Sequence, residues 1–339
     1  MAWRYFLLPL APLYRGAVAV RSSAYRRGWV RRANLPVPVV SVGNLTFGGT
    51  GKTPMVVALV RDLVRLGRHP AVLTRGYRRH DDRPAVVTGP TPRQRADEVG
   101  DEPLEMARRL PGVPVVVDAD RERGGKEAIR LGADVVVLDD GFQHLRLGRD
   151  LDVVLVDAGD PWGGGRLPPL GRLREPVAAL RRADAVVVTK VPADWRPVVA
   201  AVEDEVERVA PALQVFVSRV VPSRLRRPDG SWVEPGELQA RRVYAFAGVG
   251  RPEGFVDTLR GTGAEVVGER WFPDHHPYSE RDVAEVVAAA DSVNAIPVTT
   301  AKDAVKLPAG APVWVVEIEM VPVEGSWKGL WRLLPEVVA

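Results

Sequence analysis

Residues 36–66 read PVPVVSVGNLTFGGTGKTPMVVALVRDLVRL. The first seven are apolar apart from Ser41 and valine-rich with no polar alternation, which predicts a short buried strand. Gly43 to Thr53 is too glycine-rich to continue it, and from Pro54 to Leu66 apolar residues recur at helical spacing until Gly67. A strand that feeds a glycine-rich turn opening a helix is a phosphate cradle, because backbone N–H groups and the helix N-terminus all point at one anion. Gly48, Gly49, Thr50, Gly51, Lys52 and Thr53 supply its loop. Lys52 is placed to reach the β- and γ-phosphates of ATP, and the Thr53 hydroxyl to ligate Mg2+. The usual motif has one more glycine, where this chain has Thr46. The alternative is a plain glycine-rich turn.

Outward from this stretch the pattern repeats. Strands are expected at 71–74, 86–88, 113–117, 134–138, 152–156 and 185–189, with helices at 102–110, 124–131 and 200–209. Strands alternating with helices predict a mostly parallel sheet covered on both faces, a P-loop NTPase-like α/β fold. Residues 160–176 (DPWGGGRLPPLGRLREP) hold too much Gly and Pro for a regular element and read as a long functional loop. A polar, turn-rich stretch near 222–237 suggests a boundary, after which strands at 243–247, 265–268, 296–299 and 313–318 alternate with helices at 252–259 and 280–290. The expected division is 1–35, an N-terminal segment; 36–225, the phosphate-binding domain; and 226–339, a smaller α/β domain.

Composition narrows the chemistry. With 339 residues, 46% of them hydrophobic, the chain can bury a sizeable core. The absence of cysteine excludes disulfides, thiolate metal sites and a cysteine nucleophile. A formal net charge of +4 is small for this length and implies no nucleic-acid partner. Its placement says more. Arg4, Arg15, Arg21, Arg26, Arg27, Arg31 and Arg32 occur with no acid among them, beside Trp3, Tyr5, Phe6, Leu7, Leu8, Leu10 and Leu13. That mixture predicts a helix lying on an anionic membrane surface. The uncharged run from Tyr5 to Tyr14 is too short to span and carries Pro9 and Pro12. An ordinary buried helix is one alternative. A signal peptide is another, since Ala17-Val18-Ala19 mimics a cleavage site, but an ATP site downstream needs the cytosol.

Further residues carry chemistry. Asp134-Val-Val-Val-Leu-Asp139-Asp140 is a strand delivering two carboxylates to the sheet's C-terminal edge, where Mg2+ would relieve their repulsion. A strand-to-turn aspartate is the plain alternative. Gly100-Asp101-Glu102-Pro103 reads most simply as a helix start with Asp101 as its cap. In Phe272-Pro273-Asp274-His275-His276-Pro277 the prolines predict a loop, and a catalytic or substrate-binding histidine competes with two solvated ones. Arg75, Arg121 and Asp157 fall at strand ends, where α/β proteins bind ligands. Gly248-Val-Gly250 resembles a dinucleotide fingerprint, but the third glycine, Gly254, is one place late.

Together the motifs resemble the tetraacyldisaccharide 4′-kinase family, the lipid A 4′-kinases. The resemblance rests on SVGNLTFGGTGKTP (41–54), TRGY (74–77), GDEP (100–103), LDDGFQH (138–144), LREP (173–176), FAGVGRPEGF (246–255), FPDHH (272–276) and TAKDAVKL (300–307). It implies a two-domain enzyme on the cytoplasmic face of the bacterial inner membrane. Its reaction would be transfer of the γ-phosphoryl group of ATP to the 4′-hydroxyl of a tetraacylated glucosamine disaccharide 1-phosphate. By motif match Asp101 is the base and His275 its partner, Asp139 and Asp140 belong to the magnesium site, and Glu102 and Gln143 support them. Asp101 and His275 are expected to face each other across a cleft, in proximity rather than in a tight hydrogen bond. The competing function is a P-loop switch or metallochaperone-type NTPase acting on a protein partner; a dinucleotide oxidoreductase is a third.

Overall fold

The computed structural model describes residues 10–76, 83–89, 94–250, 252–334 and 337. Helix α1 (Leu10–Arg26) precedes β1 (Val39–Asn44), and α2 (Lys52–Arg65) follows it. The chain continues through β2 (Pro70–Thr74), β3 (Ala85–Val87), α3 (Ala96–Val99), α4 (Asp101–Arg109), β4 (Val115–Val117), α5 (Arg121–Arg130), β5 (Val135–Asp139) and β6 (Leu151–Asp157). Then come β7 (Ala185–Thr189), α6 (Arg196–Val209), β8 (Gln214–Arg226) and β9 (Trp232–Val233). The last part holds β10 (Arg242–Ala247), α7 (Pro252–Arg260), β11 (Glu265–Trp271), α8 (Glu280–Ser292), β12 (Ile296–Thr300), α9 (Ala301–Ala304), β13 (Trp314–Pro322) and α10 (Lys328–Trp331).

The valine runs explain the layering. Val40, Val42, Val72, Val115, Val117, Val135 and Val137 face one core with α2 and α4, while their neighbours Val39, Ala71, Leu73, Val116, Val136 and Leu138 face a second with α5. Val154, Val156, Val186 and Val188 pack against Val199, Val202 and Val206 of α6. Both faces of these strands are apolar because both are covered by helices. The strand order is β11-β10-β12-β13-β8-β7-β6-β1-β5-β2-β4-β3, with β9 beside β8. Only β3, β9 and the β8–β13 pairing run antiparallel.

Reading 222–237 as turn-rich missed a strand. β8 runs unbroken through Pro222, pairing with β7 at 214–217 and with β13 at 218–226. Alternation fails as a signal there because β8 is intermediate in burial along most of its length. The sheet is therefore continuous across residue 225, where the sequence suggested a break. Among the described residues no helix is long and apolar enough to cross a membrane. Met1 to Pro9, with Trp3, Arg4, Tyr5, Phe6, Leu7 and Leu8 of the N-terminal segment, lie outside the described residues.

Candidate active site

β1 sits between β5 and β6, so the loop leaving β1 emerges where the carboxyl ends of β5, β6 and β7 meet it. Gly51 caps α2 at φ +89°, a left-handed conformation that favours glycine. The loop is pinned from below by its neighbours. Thr189 Oγ1 donates to the Thr50 carbonyl at 2.8 Å, and Lys190 Nζ donates to the Gly49 carbonyl and to Asp157 Oδ2, the latter at 3.0 Å. Asn44 Nδ2 donates to the Thr46 carbonyl at 2.7 Å. Thr46 is buried and bridges to Leu173, with Phe47 N–H donating to the Arg172 carbonyl at 2.7 Å. The position that departs from the usual glycine is thus extended backbone clasped by the 160–176 loop, where a side chain costs nothing.

Lys52 Nζ reaches Asn44 Oδ1 at 3.3 Å and lies 3.6 Å from Asp140 Oδ1. Arg174 grips Asp140 with hydrogen bonds of 2.8 and 2.9 Å to its two oxygens and also donates to Gln143 Oε1. Gln143 in turn donates to the Asn44 carbonyl at 3.0 Å. Burial raises the Asp140 carboxyl, but Lys52 and Arg174 outweigh it and hold the group below the ordinary range. Asp139 shifts upward, through burial first and repulsion from Asp140 second. Its Oδ2 accepts from Thr74 Oγ1 at 3.0 Å, while its buried Oδ1 has no hydrogen-bond partner. A buried, unsatisfied carboxylate oxygen beside a second carboxylate fits a divalent cation. Among the described residues no three acidic or histidine side chains close on one point. Mg2+, which takes one or two carboxylates and completes its shell with water and phosphate oxygens, suits such a sparse donor set. Thr53, in the first turn of α2, with Asp139 and Asp140, is the set that would hold it.

The dyad forms, and more tightly than expected. His275 Nδ1 lies 2.9 Å from Asp101 Oδ2. The reading of Asp101 as a helix cap is corrected: Gly100, at φ +96°, occupies the cap position with no side-chain hydrogen bond, which frees the Asp101 carboxylate for His275. Burial raises the Asp101 carboxyl, but the hydrogen bond from His275 and the charge of Lys306 prevail and keep it below the ordinary range. Glu102, next along α4, is pushed up to about 7, by burial first and repulsion from Asp139 second, with Lys52 and Lys302 opposing. Glu102 thus feels the charges of Asp139 and Lys52 at the phosphate site and of Lys302 beside the dyad. Five non-glycine residues have positive φ among those described, and Asp140, Lys190 and His275 are three of them. Strain of this kind gathers where geometry is held for function.

The other expected residues divide. Arg121 is buried, donating to the Asp118 carbonyl at 2.8 Å and the Asp139 carbonyl at 3.3 Å; burial lowers its pKa to about 10. It braces the end of β5 from behind. Arg75 is exposed at the end of β2, with its charge felt by Arg121, and Tyr77 of the same motif lies outside the described residues. Gly248 does not open a phosphate cradle: a Cβ there would lie 2.7 Å from the Pro273 carbonyl oxygen and 3.2 Å from Asp303 Oδ1. Its missing side chain lets the His275 loop close down. Sequence reasoning passed over Asn44, Arg174, Lys190, Lys302 and Lys306 as site residues. Arg174, Lys302 and Lys306 lay inside quoted motifs, and Lys190 follows a valine-rich strand directly, so the signal was present.

The order of the sheet defines the class. A phosphate loop on the central strand, with the carboxylate-bearing strand β5 beside it, belongs to a P-loop phosphotransferase. The family model described as tetraacyldisaccharide-1-P 4'-kinase matches residues 3–337, and the chain belongs to that family. It is 44% identical over 318 residues to a tetraacyldisaccharide 4'-kinase of Anaeromyxobacter sp. (strain Fw109-5), covering 89% of this chain and 82% of that one. It is 40% identical over 321 residues to a protein of the same description from Geobacter sulfurreducens, covering 93% and 88%. The crystal structure of LpxK from Aquifex aeolicus in complex with ATP superposes with a TM-score of 0.79 at 32% identity, covering 99% of this chain and all of that one. Membership in an ATP-dependent kinase family decides against the NTPase-switch alternative and against an oxidoreductase.

Proposed function

We propose that this enzyme transfers the γ-phosphoryl group of ATP to the 4′-hydroxyl of a tetraacylated glucosamine disaccharide 1-phosphate. The observation that carries the reading is the Asp101–His275 pair, at 2.9 Å. A sugar hydroxyl is a weak nucleophile, so an ionised carboxylate that takes its proton as the new P–O bond forms assists the attack. The bond from the γ-phosphorus to its bridging oxygen breaks and ADP leaves. Lys52 and the loop N–H groups stabilise the charge on the transferring group, which is the larger part of catalysis in phosphoryl transfer. Thr53, Asp139 and Asp140 would hold Mg2+, which would supply further charge neutralisation.

A cavity of about 220 Å³ between α1 and the phosphate loop, lined by Tyr14, Arg21, Phe47, Gln143, Arg174 and Glu175, supports an acceptor arriving from the α1 side. α1 is fastened to that wall: Tyr14 Oη donates to the Arg174 carbonyl at 2.9 Å, and Arg21 donates to the Gln143 carbonyl at 2.9 Å. Its remaining surface supports peripheral binding to the cytoplasmic face of the inner membrane, with Val20 and Trp29 70% and 72% exposed beside exposed Arg15, Arg26, Arg27, Arg31 and Arg32. The test is transfer of labelled phosphate from ATP to a detergent-dispersed lipid disaccharide monophosphate. Label in the lipid is expected; ATP hydrolysis indifferent to the lipid would reject the reading.

A further inference from the structure

The segment from Thr300 to Lys306 packs against the dyad. Thr300 ends β12 and caps α9, accepting from the Asp303 N–H at 3.1 Å. Lys302 Nζ donates to Asp274 Oδ1 at 2.6 Å, and Asp274 Oδ2 lies 3.6 Å from His275 Nε2. One turn later Lys306 Nζ lies 3.0 Å from Asp303 Oδ1 and 3.5 Å from Asp101 Oδ2. The side chains of Lys306 and Asp303 are 5% and 0% exposed. A buried ammonium is costly unless paired, and Asp303 alone could neutralise it. The amine nevertheless also approaches Asp101, on the same oxygen that meets His275.

We propose that Lys306 is a positioning residue for phosphoryl transfer: with His275 it fixes Oδ2 of Asp101, leaving Oδ1 to take the acceptor proton. The proposal rests on the reading of Asp101 as the base. Two cationic or hydrogen-bonding partners on one carboxylate oxygen define the rotation of the group, and rotation decides whether the other oxygen meets the hydroxyl. Because β12 and α9 belong to the strand system beyond β8, the same contact ties the distal part of the sheet to the N-terminus of α4.

The test uses the full chain. Lys306→Met alone would strand Asp303 as an unpaired buried carboxylate, so the informative variant is Lys306→Met combined with Asp303→Asn, which removes both charges at similar volume. It is expected to melt near wild type, to bind ATP with unchanged affinity, and to lose roughly ten- to a hundredfold in kcat. The acid limb of its kcat–pH profile should move to higher pH. The groups acting on Asp101 are His275 from the 272–277 loop and Lys302 and Lys306 from the 300–306 segment, with Glu102 next to it in the chain and Asp274 paired to His275 and Lys302; the double variant removes Lys306, 3.5 Å from Asp101, together with Asp303, which is paired to Lys306. Lys306→Arg keeps the charge with a different reach. It should retain the acid limb while kcat falls, and wild-type kcat in it overturns the proposal even if the double variant does not fold. A folded double variant with wild-type kcat, or with lowered kcat and an unmoved acid limb, also overturns it. Asp101→Asn, assayed in parallel, separates the two readings: normal transfer there removes the base itself, whereas an inactive Asp101→Asn beside a normal double variant removes only Lys306.

Discussion

The ring of His275 meets the carboxylate of Asp101 at 2.9 Å although 174 positions separate them in the chain. One partner opens α4 beneath the phosphate-binding half of the sheet; the other sits at φ +65° in a loop between β11 and α8. Neither contact is local, so the pair exists only when β12 and β13 are docked onto β8. Assembly of the dyad therefore requires the distal half of the sheet to be in place.

Asp101→Asn keeps the shape of the side chain and can still bond His275, but it cannot accept a proton. Transfer should fall by about two to four orders of magnitude, the usual share of a general base. ATP affinity should hardly change. His275→Ala should act in the same direction. Initial rates in the labelled-phosphate assay check both, and an active Asp101→Asn would leave the dyad without a chemical role.

Lys52→Ala removes the cation at the N-terminus of α2. One such electrostatic group is worth roughly two to three orders of magnitude in rate. Because Lys52 lies 3.6 Å from Asp140, its loss also leaves that carboxylate to Arg174 alone. Single-turnover kinetics with saturating ATP is the measurement; near-normal transfer would remove the phosphate-loop reading.

Much of this site was legible in the sequence because its local parts are local in sequence. The 36–66 stretch carries strand, turn and helix together, and 134–140 carries β5 with its carboxylates. What resisted was non-local. Nothing near Gly100 shows that Asp101 will turn from capping its helix towards a histidine arriving from the distal half. Nothing in the turn chemistry of 222–237 shows that Pro222 sits inside β8, since proline is tolerated where a strand loses register, as happens opposite Glu317 and Ile318. Arg174 stood in a visible motif, but its contact with Asp140 was not legible, for a third reason. The loop that bears it has no periodicity, and its position is set by pairing with residues 45–47.

Lys190 ties the end of β7 to the phosphate loop through the Gly49 carbonyl and anchors on Asp157. Its backbone is left-handed, at φ +56°, so the tie is held against local strain. Lys190→Ala should loosen the loop and weaken ATP binding about tenfold or more, the scale of one hydrogen bond to a charged group. The KM for the lipid acceptor should stay near wild type. Isothermal titration with ATP reads the first effect; unchanged affinity would show that the loop needs no such tie.

Glu102 gives a pH signature in protein free of nucleotide and treated with chelator. Its carboxyl is raised from 4.5 to about 7, by burial first and Asp139 second. A raised group leaves stability intact below its unfolded pKa, and that stability is lost as pH climbs through the folded value, because ionisation is then easier in the unfolded chain. The relevant window is therefore about pH 4.5 to 7. Glu102→Gln cannot ionise, so its melting temperature relative to wild type should rise between pH 5 and pH 8. A difference independent of pH across that window would mean that Glu102 is ordinarily ionised in the fold.

The last prediction concerns the membrane. Described residues Arg15, Arg21, Arg26, Arg27, Arg31 and Arg32 lie on or just after α1 and are all exposed, with no acid between positions 1 and 32. Each cation near an anionic surface contributes about 1 kcal/mol, fading with salt, and the exposed Trp29 and Val20 add apolar contact. Such a surface should bind vesicles containing anionic lipid and release them as ionic strength rises. The expected result is co-sedimentation of the full chain with anionic vesicles at low salt, lost at high salt and absent with neutral lipid. Arg26, Arg27, Arg31 and Arg32 changed together to Gln should abolish it. Arg21 is left in place, because it donates to the Gln143 carbonyl beside the phosphate loop, so ATP affinity should persist in the quadruple variant. Activity on lipid in vesicles should then fall while activity on detergent-dispersed lipid stays close to wild type, since detergent delivers the acceptor without a surface. Equal sedimentation of wild type and variant, or an equal loss of activity in detergent, would mean that the arginines serve the fold rather than the membrane.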